Sequence, residues 1–422
     1  MRLTDRWIGR PRLLLRSRAG RRAGDMGRVL RDLAAGADTG VGVRLGKGRR
    51  MLLLLDPALV GELLRERAGD VTKGPGVRVT RPLLGDGLLT TEGEVHRRAR
   101  RLVAPAFSPR RLAGYVEQFA SSAAAVDWED GQQVDLHAEM AGLTLDIVGR
   151  TLLGVDLADA RGMRATLEGA LTTFGSGTGP RMFGRQVPQR DPAATAEIHR
   201  VVDEIIDGRR EHRSSDRGDV VWALLDAADE PDGLTPQEVH DNVITLMMAG
   251  HETTANSLSW TFHLLGDRPD VVDRIRSDGE PYTRAVVAEA MRLYPPAWIM
   301  TRTPSVDMTL GRWDVPAGST VAASPLLLHH DARWFPDPER FDPDRWLDAR
   351  KDAVPRFAYL PFGTGPRACI GEQFAWAEAT TILGTLVDRW SATPDPAHVV
   401  RPEYRVTMRP GGGLPVTLHE RG

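Results

Sequence analysis

Phe362-Gly363-Thr364-Gly365-Pro366-Arg367-Ala368-Cys369-Ile370-Gly371 is the stretch around which the rest of this sequence is read. It holds the only cysteine in 422 residues, set among three glycines and a proline. Glycine opens unusual backbone dihedrals and proline removes a donor, so the run up to Ile370 is neither regular helix nor strand. The residues that follow, Glu372 to Ala379, carry apolar side chains at helical spacing. The cysteine therefore lies in a glycine-bent loop at a helix N-terminus, where unpaired N–H groups and the helix dipole favour thiolate over thiol. A thiolate held this way is a nucleophile or a metal ligand. The plainer role of a lone cysteine is a small buried hydrophobe.

Composition narrows the field. The chain is 41% hydrophobic with a formal net charge of −2, enough apolar material for a large core and no charge that suggests nucleic acid as a partner. It has no low-complexity linker and no internal repeat, so we expect one domain over 40–422 behind a basic lead-in at 1–39. One cysteine excludes an internal disulfide and a self-contained iron–sulfur cluster, which needs about four. Any electrons must then come from another protein. The lead-in is rich in arginine, and its longest apolar run is Leu13-Leu14-Leu15. That is far short of a signal core of about 7–15 residues or a spanning helix of about 20. The expectation is a cytoplasmic protein with no transmembrane segment.

In chain order, 41–55 reads as a β-hairpin turning at Gly46-Lys47-Gly48, and Asp56-Pro57 opens a short helix. The stretch 71–93 is rich in Gly, Pro and Thr without any period. A helix over 94–102 places His96 and Arg100 on one face. Helical patterns follow at 109–126, 137–153, 158–173 and 192–213, with a Gly/Pro-rich break at 175–188. Thr235-Pro236-Gln237-Glu238 is a capping box that opens the longest pattern, running to Leu265, about 45 Å of helix. At its centre lies Ala249-Gly250-His251-Glu252-Thr253-Thr254. A glycine there costs about 1 kcal/mol relative to alanine, and a threonine hydroxyl can bond back to the i−4 carbonyl. Glu289 and Arg292 pair at i,i+3 before Pro295-Pro296 stops their helix. Short strand patterns fall at 308–310, 313–315 and 320–322, and the tail carries strands broken by Gly411-Gly412-Gly413.

Phe362, Gly365, Arg367, Cys369 and Gly371 fill the pattern Phe-x-x-Gly-x-Arg-x-Cys-x-Gly, and with the three other motifs in order the sequence resembles the cytochrome P450 superfamily of haem-thiolate monooxygenases. The resemblance covers the chain from about residue 40. It implies a mainly α fold with a smaller β region, a single domain with haem b between the long central helix and the Cys loop. It implies Cys369 as the iron ligand, with Phe362, Ala249 and Gly250 beside the haem. His96, Arg100, Arg302 and Arg367 are implied to bind its propionates, since buried carboxylates need such partners. Glu252 and Thr253 correspond to the family's oxygen-activation groove, and Glu289, Arg292 and Arg340 to its structural lock. By the same resemblance, 71–93 is a mobile loop over the substrate, and the two helices flanking 175–188 are the pocket roof.

The implied reaction inserts one atom of O2 into a C–H or C=C bond. Electrons derived from NAD(P)H arrive through a ferredoxin and ferredoxin reductase or a similar flavoprotein, with Arg97, Arg98, Arg101 and Arg367 as a docking face. Positions one turn before the central break and just past Pro296 are expected to line the pocket: Ile244, Thr245, Met248, Ala297, Trp298 and Ile299. As a set they carry no charge, which predicts a compact hydrophobic substrate, a terpenoid or polyketide-like secondary metabolite. A fatty-acid hydroxylase and a non-catalytic haem-thiolate sensor are the alternatives, and a monomer is expected.

Overall fold

The computed structural model describes residues 7–8, 26–46, 49–78, 80–156, 192–211 and 218–421. Its longer helices, in chain order, are α1 (Met26–Ala34), α2 (Gly93–Val103), α3 (Pro109–Ala124), α4 (Leu136–Val148), α5 (Pro192–Glu211), α6 (Val220–Ala228), α7 (Pro236–Leu265), α8 (Pro269–Asp278), α9 (Glu280–Leu293) and α10 (Glu372–Arg389). The expected helix at 158–173 and the break after it lie outside the described residues.

The 30-residue α7 organises the rest, packing against α4, α5, α9 and α10. It starts where the capping box places it: Glu238 N–H donates to the Thr235 hydroxyl at 3.2 Å, and Thr235 N–H donates to the Glu238 carboxylate at 2.8 Å. Val239, Val243, Ile244, Met247 and Leu258 are fully buried along it, each contributing roughly 1.5–3 kcal/mol of burial. At Gly250 a Cβ would stand 3.2 Å from Val148 and 3.4 Å from Leu152, so this glycine serves the close crossing of α4 over α7.

The β region is a six-stranded sheet at one side. In chain order the strands are β1 (Trp7–Ile8), β2 (Gly40–Gly46), β3 (Arg49–Leu54), β4 (Val71–Lys73), β5 (Gln133–Asp135), β6 (Met300–Pro304), β7 (Met308–Leu310), β8 (Trp313–Val315), β9 (Thr320–Ala323), β10 (Trp390–Pro394), β11 (Arg401–Tyr404), β12 (Met408–Gly411) and β13 (Pro415–Glu420). The large sheet runs β1-β2-β3-β9-β6-β4; β10-β13-β5, β11-β12 and β7-β8 form smaller ones. Within the stretch read as a lead-in, β1 pairs parallel to β2 and Leu30 of α1 is fully buried.

Two expectations gain structural detail. The described part of the 71–93 stretch carries regular elements. It supplies β4 and two short helices, Pro75–Arg78 and Arg81–Leu84. It is tied to α7 by Asp86 N–H donating to the Asp241 carboxylate (2.6 Å) and Leu88 N–H to the Asn242 side-chain oxygen (2.9 Å). Elements this short have no period to read; side chains of a distant helix hold them.

The second concerns the lock. Glu289 and Arg292 are both fully buried and joined by two bonds of 2.8 and 2.9 Å. Arg340 contributes only its carbonyl, 3.0 Å from Arg292, and its own side chain is exposed. The second guanidinium at Glu289 is that of buried Arg345, at 3.5 Å, joined by the Trp346 indole N–H at 2.8 Å. The chain turns sharply at Asp337, where φ is 50°, and carbonyls 338 and 340 face Arg292 beyond that turn.

Candidate functional site

The Cys loop is closed by its own backbone, Cys369 N–H donating to the Phe362 carbonyl at 2.9 Å. Gly365 lies at φ 75°, and a Cβ there would stand 2.2 Å from the Leu64 carbonyl oxygen. Only glycine passes that point. The Phe362 ring packs on Trp376 of α10 at 5.5 Å, and the Arg284 guanidinium covers the other aromatic partner at 4.0 Å from the Trp376 ring centre.

Cys369 is exposed on one side of the loop. Protein crowds its other sides, and that burial pushes the thiol above its usual value, outweighing the Gly371 N–H and the Arg100 charge that pull it down. The helix N-terminus pulls toward thiolate through the Gly371 N–H, and burial works against it. A bound metal deprotonates a coordinating thiol outright.

Around this loop gathers a set of basic side chains. Arg100 of α2 donates to the Ala368 carbonyl at 2.8 Å, and Arg367 donates to the Thr91 carbonyl at 2.8 Å while pairing with Glu92. Buried Arg302 on β6 sits directly across from Lys73 on β4, a like-charge pair that costs stability in a sheet. Burial and then Arg367 lower Arg302 to about 10. Burial and then Arg367 bring Lys73 down to about 7. The Lys73 ammonium donates to the carbonyls of Leu88 (3.1 Å) and Leu89. Burial, Arg367 and Lys73 push His96 down to about 3, so His96 is a neutral donor or acceptor here and not a cation. Lys73 was not anticipated from sequence; its one signal is a lysine on the same face of a short strand as buried Val71.

At the centre of α7, Thr253 donates back to the Ala249 carbonyl at 2.8 Å, and Ala249 is exposed in the middle of a largely buried helix. An exposed position there marks the wall of a concavity. Glu252 is held from another element: its carboxylate accepts from the Thr407 hydroxyl at 2.6 Å, and burial raises it above the ordinary carboxylate range. One residue further on, Thr254 faces Glu378 of α10, a fully buried carboxyl pushed up to about 8 by burial. Glu378 was also missed, although a glutamate in an apolar stripe is a readable anomaly.

The expected pocket residues divide. Ala297 and Ile299 are half-buried, whereas Ile244 and Met248 pack into the main core. Thr245 is buried with its hydroxyl against Gly87. Trp298 is core, packed edge-on to Tyr404 at 5.2 Å, with its indole N–H donating to the Arg405 carbonyl at 3.1 Å. The expected basic docking face is largely neutralised, since Arg97 pairs with Glu94, Arg98 with Glu238 and Arg101 with Asp232. A cavity of about 360 Å³ opens beside Lys73, walled by Thr72, Arg78, Arg81 and Glu92.

The family model of cytochrome P450 matches residues 14–414. Cyclooctatin synthase of Streptomyces melanosporofaciens is 36% identical over 401 residues, covering 88% of this chain and 86% of that protein. Pentalenene oxygenase of Streptomyces avermitilis is 37% identical over 354 residues, covering 78% of each. The crystal structure of CYP175A1 from Thermus thermophilus superposes with a TM-score of 0.78 at 30% identity, covering 99% of this chain and all of that one. The chain belongs to the cytochrome P450 family. It is an oxidoreductase, a monooxygenase of that family.

Membership implies haem with a cysteine thiolate ligand, and O2. The residues present fit that group. The chain offers one cysteine, open on one side. Lys73, Arg302 and Arg367 are each lowered by burial and by neighbouring positive charge, Arg100 among it, with Glu92 as the acid that faces them, a surplus of positive charge suited to two carboxylates. Among the described residues, no helix is long and apolar enough to cross a membrane.

Proposed function

We propose that this protein oxygenates a compact, hydrophobic terpenoid, using electrons delivered by a separate redox protein. The observation that carries the reading is the similarity to relatives named for cyclooctatin and pentalenene, which act on terpenoids, at 36% and 37% identity over most of the chain. When bound, haem supplies the iron at which O2 is split, one oxygen passing to a C–H or C=C bond of the substrate and the other leaving as water.

Cys369 would hold the iron and supply it with electron density, while the Gly371 N–H, directed at the sulfur, would temper that donation. Lys73, His96, Arg100, Arg302 and Arg367 bind the propionates, and the mutual repulsion among the charged members is relieved when those carboxylates arrive. The Thr253 hydroxyl spends its proton on the Ala249 carbonyl, leaving lone pairs that would orient a water in the concavity beside Ala249. Glu252, a carboxyl raised by burial, gives up protons there and regains them from solvent. Electrons come from a ferredoxin with its NAD(P)H-dependent reductase or from a similar flavoprotein, because one cysteine cannot build an iron–sulfur cluster. A reducing cytoplasm suits a chain so poor in cysteine, and the protein works as a monomer.

The test is a titration of the ferric holoprotein with cyclic terpenes, fatty acids, macrolides and charged aromatics. Terpene hydrocarbons and alcohols are expected to displace the iron-bound water and give a high-spin shift at micromolar concentration. Tight shifts only with charged or sugar-bearing ligands would overturn the substrate class.

A further inference from the structure

Glu252 and Thr253 are adjacent in sequence but serve different neighbours. Thr253 bonds within its own helix, whereas Glu252 is tied to Thr407, between β11 and β12 and 155 positions away. Three groups face the Glu252 carboxyl from this hairpin: the Thr407 hydroxyl, Arg409 and Arg405. Both arginines are in turn paired with Glu403 at 2.8 and 2.9 Å, so their charge is largely spent there. From α7, the Asn256 side-chain amide donates to the Thr407 oxygen at 3.1 Å, and both Asn256 and Thr407 are buried.

The direction of this chain follows from what each group can do. An ionised carboxylate only accepts, so the single hydroxyl proton of Thr407 goes to Glu252 Oε1. The Thr407 oxygen must then receive from its other neighbour, which the Asn256 N–H does. Oε1 is thereby committed, and Oε2, without a hydrogen-bond partner among the described residues, is the oxygen left to take up and release a proton.

We propose that Thr407, oriented by Asn256, is a positioning residue for Glu252, anchoring its carboxyl at the β11–β12 hairpin and reserving Oε2 for proton transfer. This rests on the reading of Glu252 as the proton donor given above. A hydrogen bond to the charged form stabilises it, so Thr407 also holds the Glu252 acidity below what burial alone would give.

The experiment uses the full-length holoprotein with a plant-type ferredoxin, its reductase and NADPH, without substrate. The reaction is then O2 + NADPH + H+ → H2O2 + NADP+, whose protons come from solvent. Its rate is recorded against pH for wild type, Thr407→Val, Thr407→Ser, Asn256→Ala and Glu252→Gln. The wild-type rate falls as pH rises through the Glu252 pKa. Thr407→Val should move that midpoint up by about one pH unit, the size of one charge-assisted hydrogen bond, and slow the reaction several-fold. Thr407→Ser should restore the wild-type profile, and Glu252→Gln should remove the transition. Should Thr407→Val fail to retain haem, Asn256→Ala decides, with an upward shift expected. An unshifted Thr407→Val or deciding Asn256→Ala profile, with the transition still lost in Glu252→Gln, overturns the positioning role and leaves the function of Glu252 standing. An unchanged profile in Glu252→Gln overturns the donor reading itself, and this proposal with it.

Discussion

Two clusters of partly or fully buried charge stand in this molecule, and they are built on opposite rules. At Glu289, one carboxylate is satisfied by Arg292, Arg345, the Trp346 indole and the Asp342 N–H, and Arg292 is in turn satisfied by three carbonyls. At Lys73, Arg302, Arg100 and Arg367, one facing acid serves four basic groups, and burial with like charge lowers the proton affinity of Lys73, Arg302 and Arg367. A closed network of the first kind holds a fold together. An unbalanced one costs stability in the protein alone and is kept for what it binds. The contrast separates a structural site from a binding site without reference to any motif.

The largest expected effect comes from opening the closed cluster. Glu289→Ala strands the Arg292 guanidinium in the interior, a loss of about 3–5 kcal/mol against a total of roughly 5–15. Little soluble, haem-loaded protein should survive. Arg345→Ala should be damaging and Arg340→Ala nearly neutral, measured by thermal melting. Equal melting temperatures for the two arginine variants would dissolve the distinction drawn at this site.

Relieving the unbalanced cluster should act the other way. Lys73→Met and Arg302→Leu remove facing like charges, so the haem-free chain should melt at the same temperature or slightly higher, while haem retention weakens about tenfold or more, a loss of about 1.4 kcal/mol. Haem transfer to an acceptor protein gives the rate. Unaltered haem retention in both variants would make the cluster structural after all.

A smaller effect is expected at Glu378. Its folded carboxyl titrates at about 8 against an ordinary value of 4.5. The native state therefore keeps a proton that the unfolded chain releases. Its contribution is complete below the unfolded value and is lost as pH rises through the folded one. Wild type should lose thermal stability between about pH 5 and 9, and Glu378→Gln should flatten that slope. A slope identical in both proteins would mean that Glu378 is ionised or solvated.

Sequence made the local parts of this site legible. The capping box of α7, the Thr253 bond to Ala249, the glycine-bent Cys loop and the Glu289–Arg292 pair all lie within four residues of their partners or in one continuous loop. The parts that escaped depend on the fold to bring strangers together. Lys73 meets Arg302 only through β4–β6 pairing, Glu252 meets Thr407 across 155 positions, and Trp298 is drawn into the core by Tyr404 and Arg405. Arg340 and Arg345 stand five apart, and only the turn at Asp337 decides which side chain enters the lock. The thiol shows the same limit in energy: its helix N-terminus was readable, but the burial that outweighs it was not.

The central claim is that Cys369 supplies the thiolate that holds the iron, and the carbon monoxide spectrum of the reduced protein tests it most directly. Wild type should show the red-shifted Soret band of thiolate-ligated iron, and Cys369→Ser should lose that band while the haem-free chain remains folded by circular dichroism. The same band in both proteins, or no red shift in wild type, would contradict it.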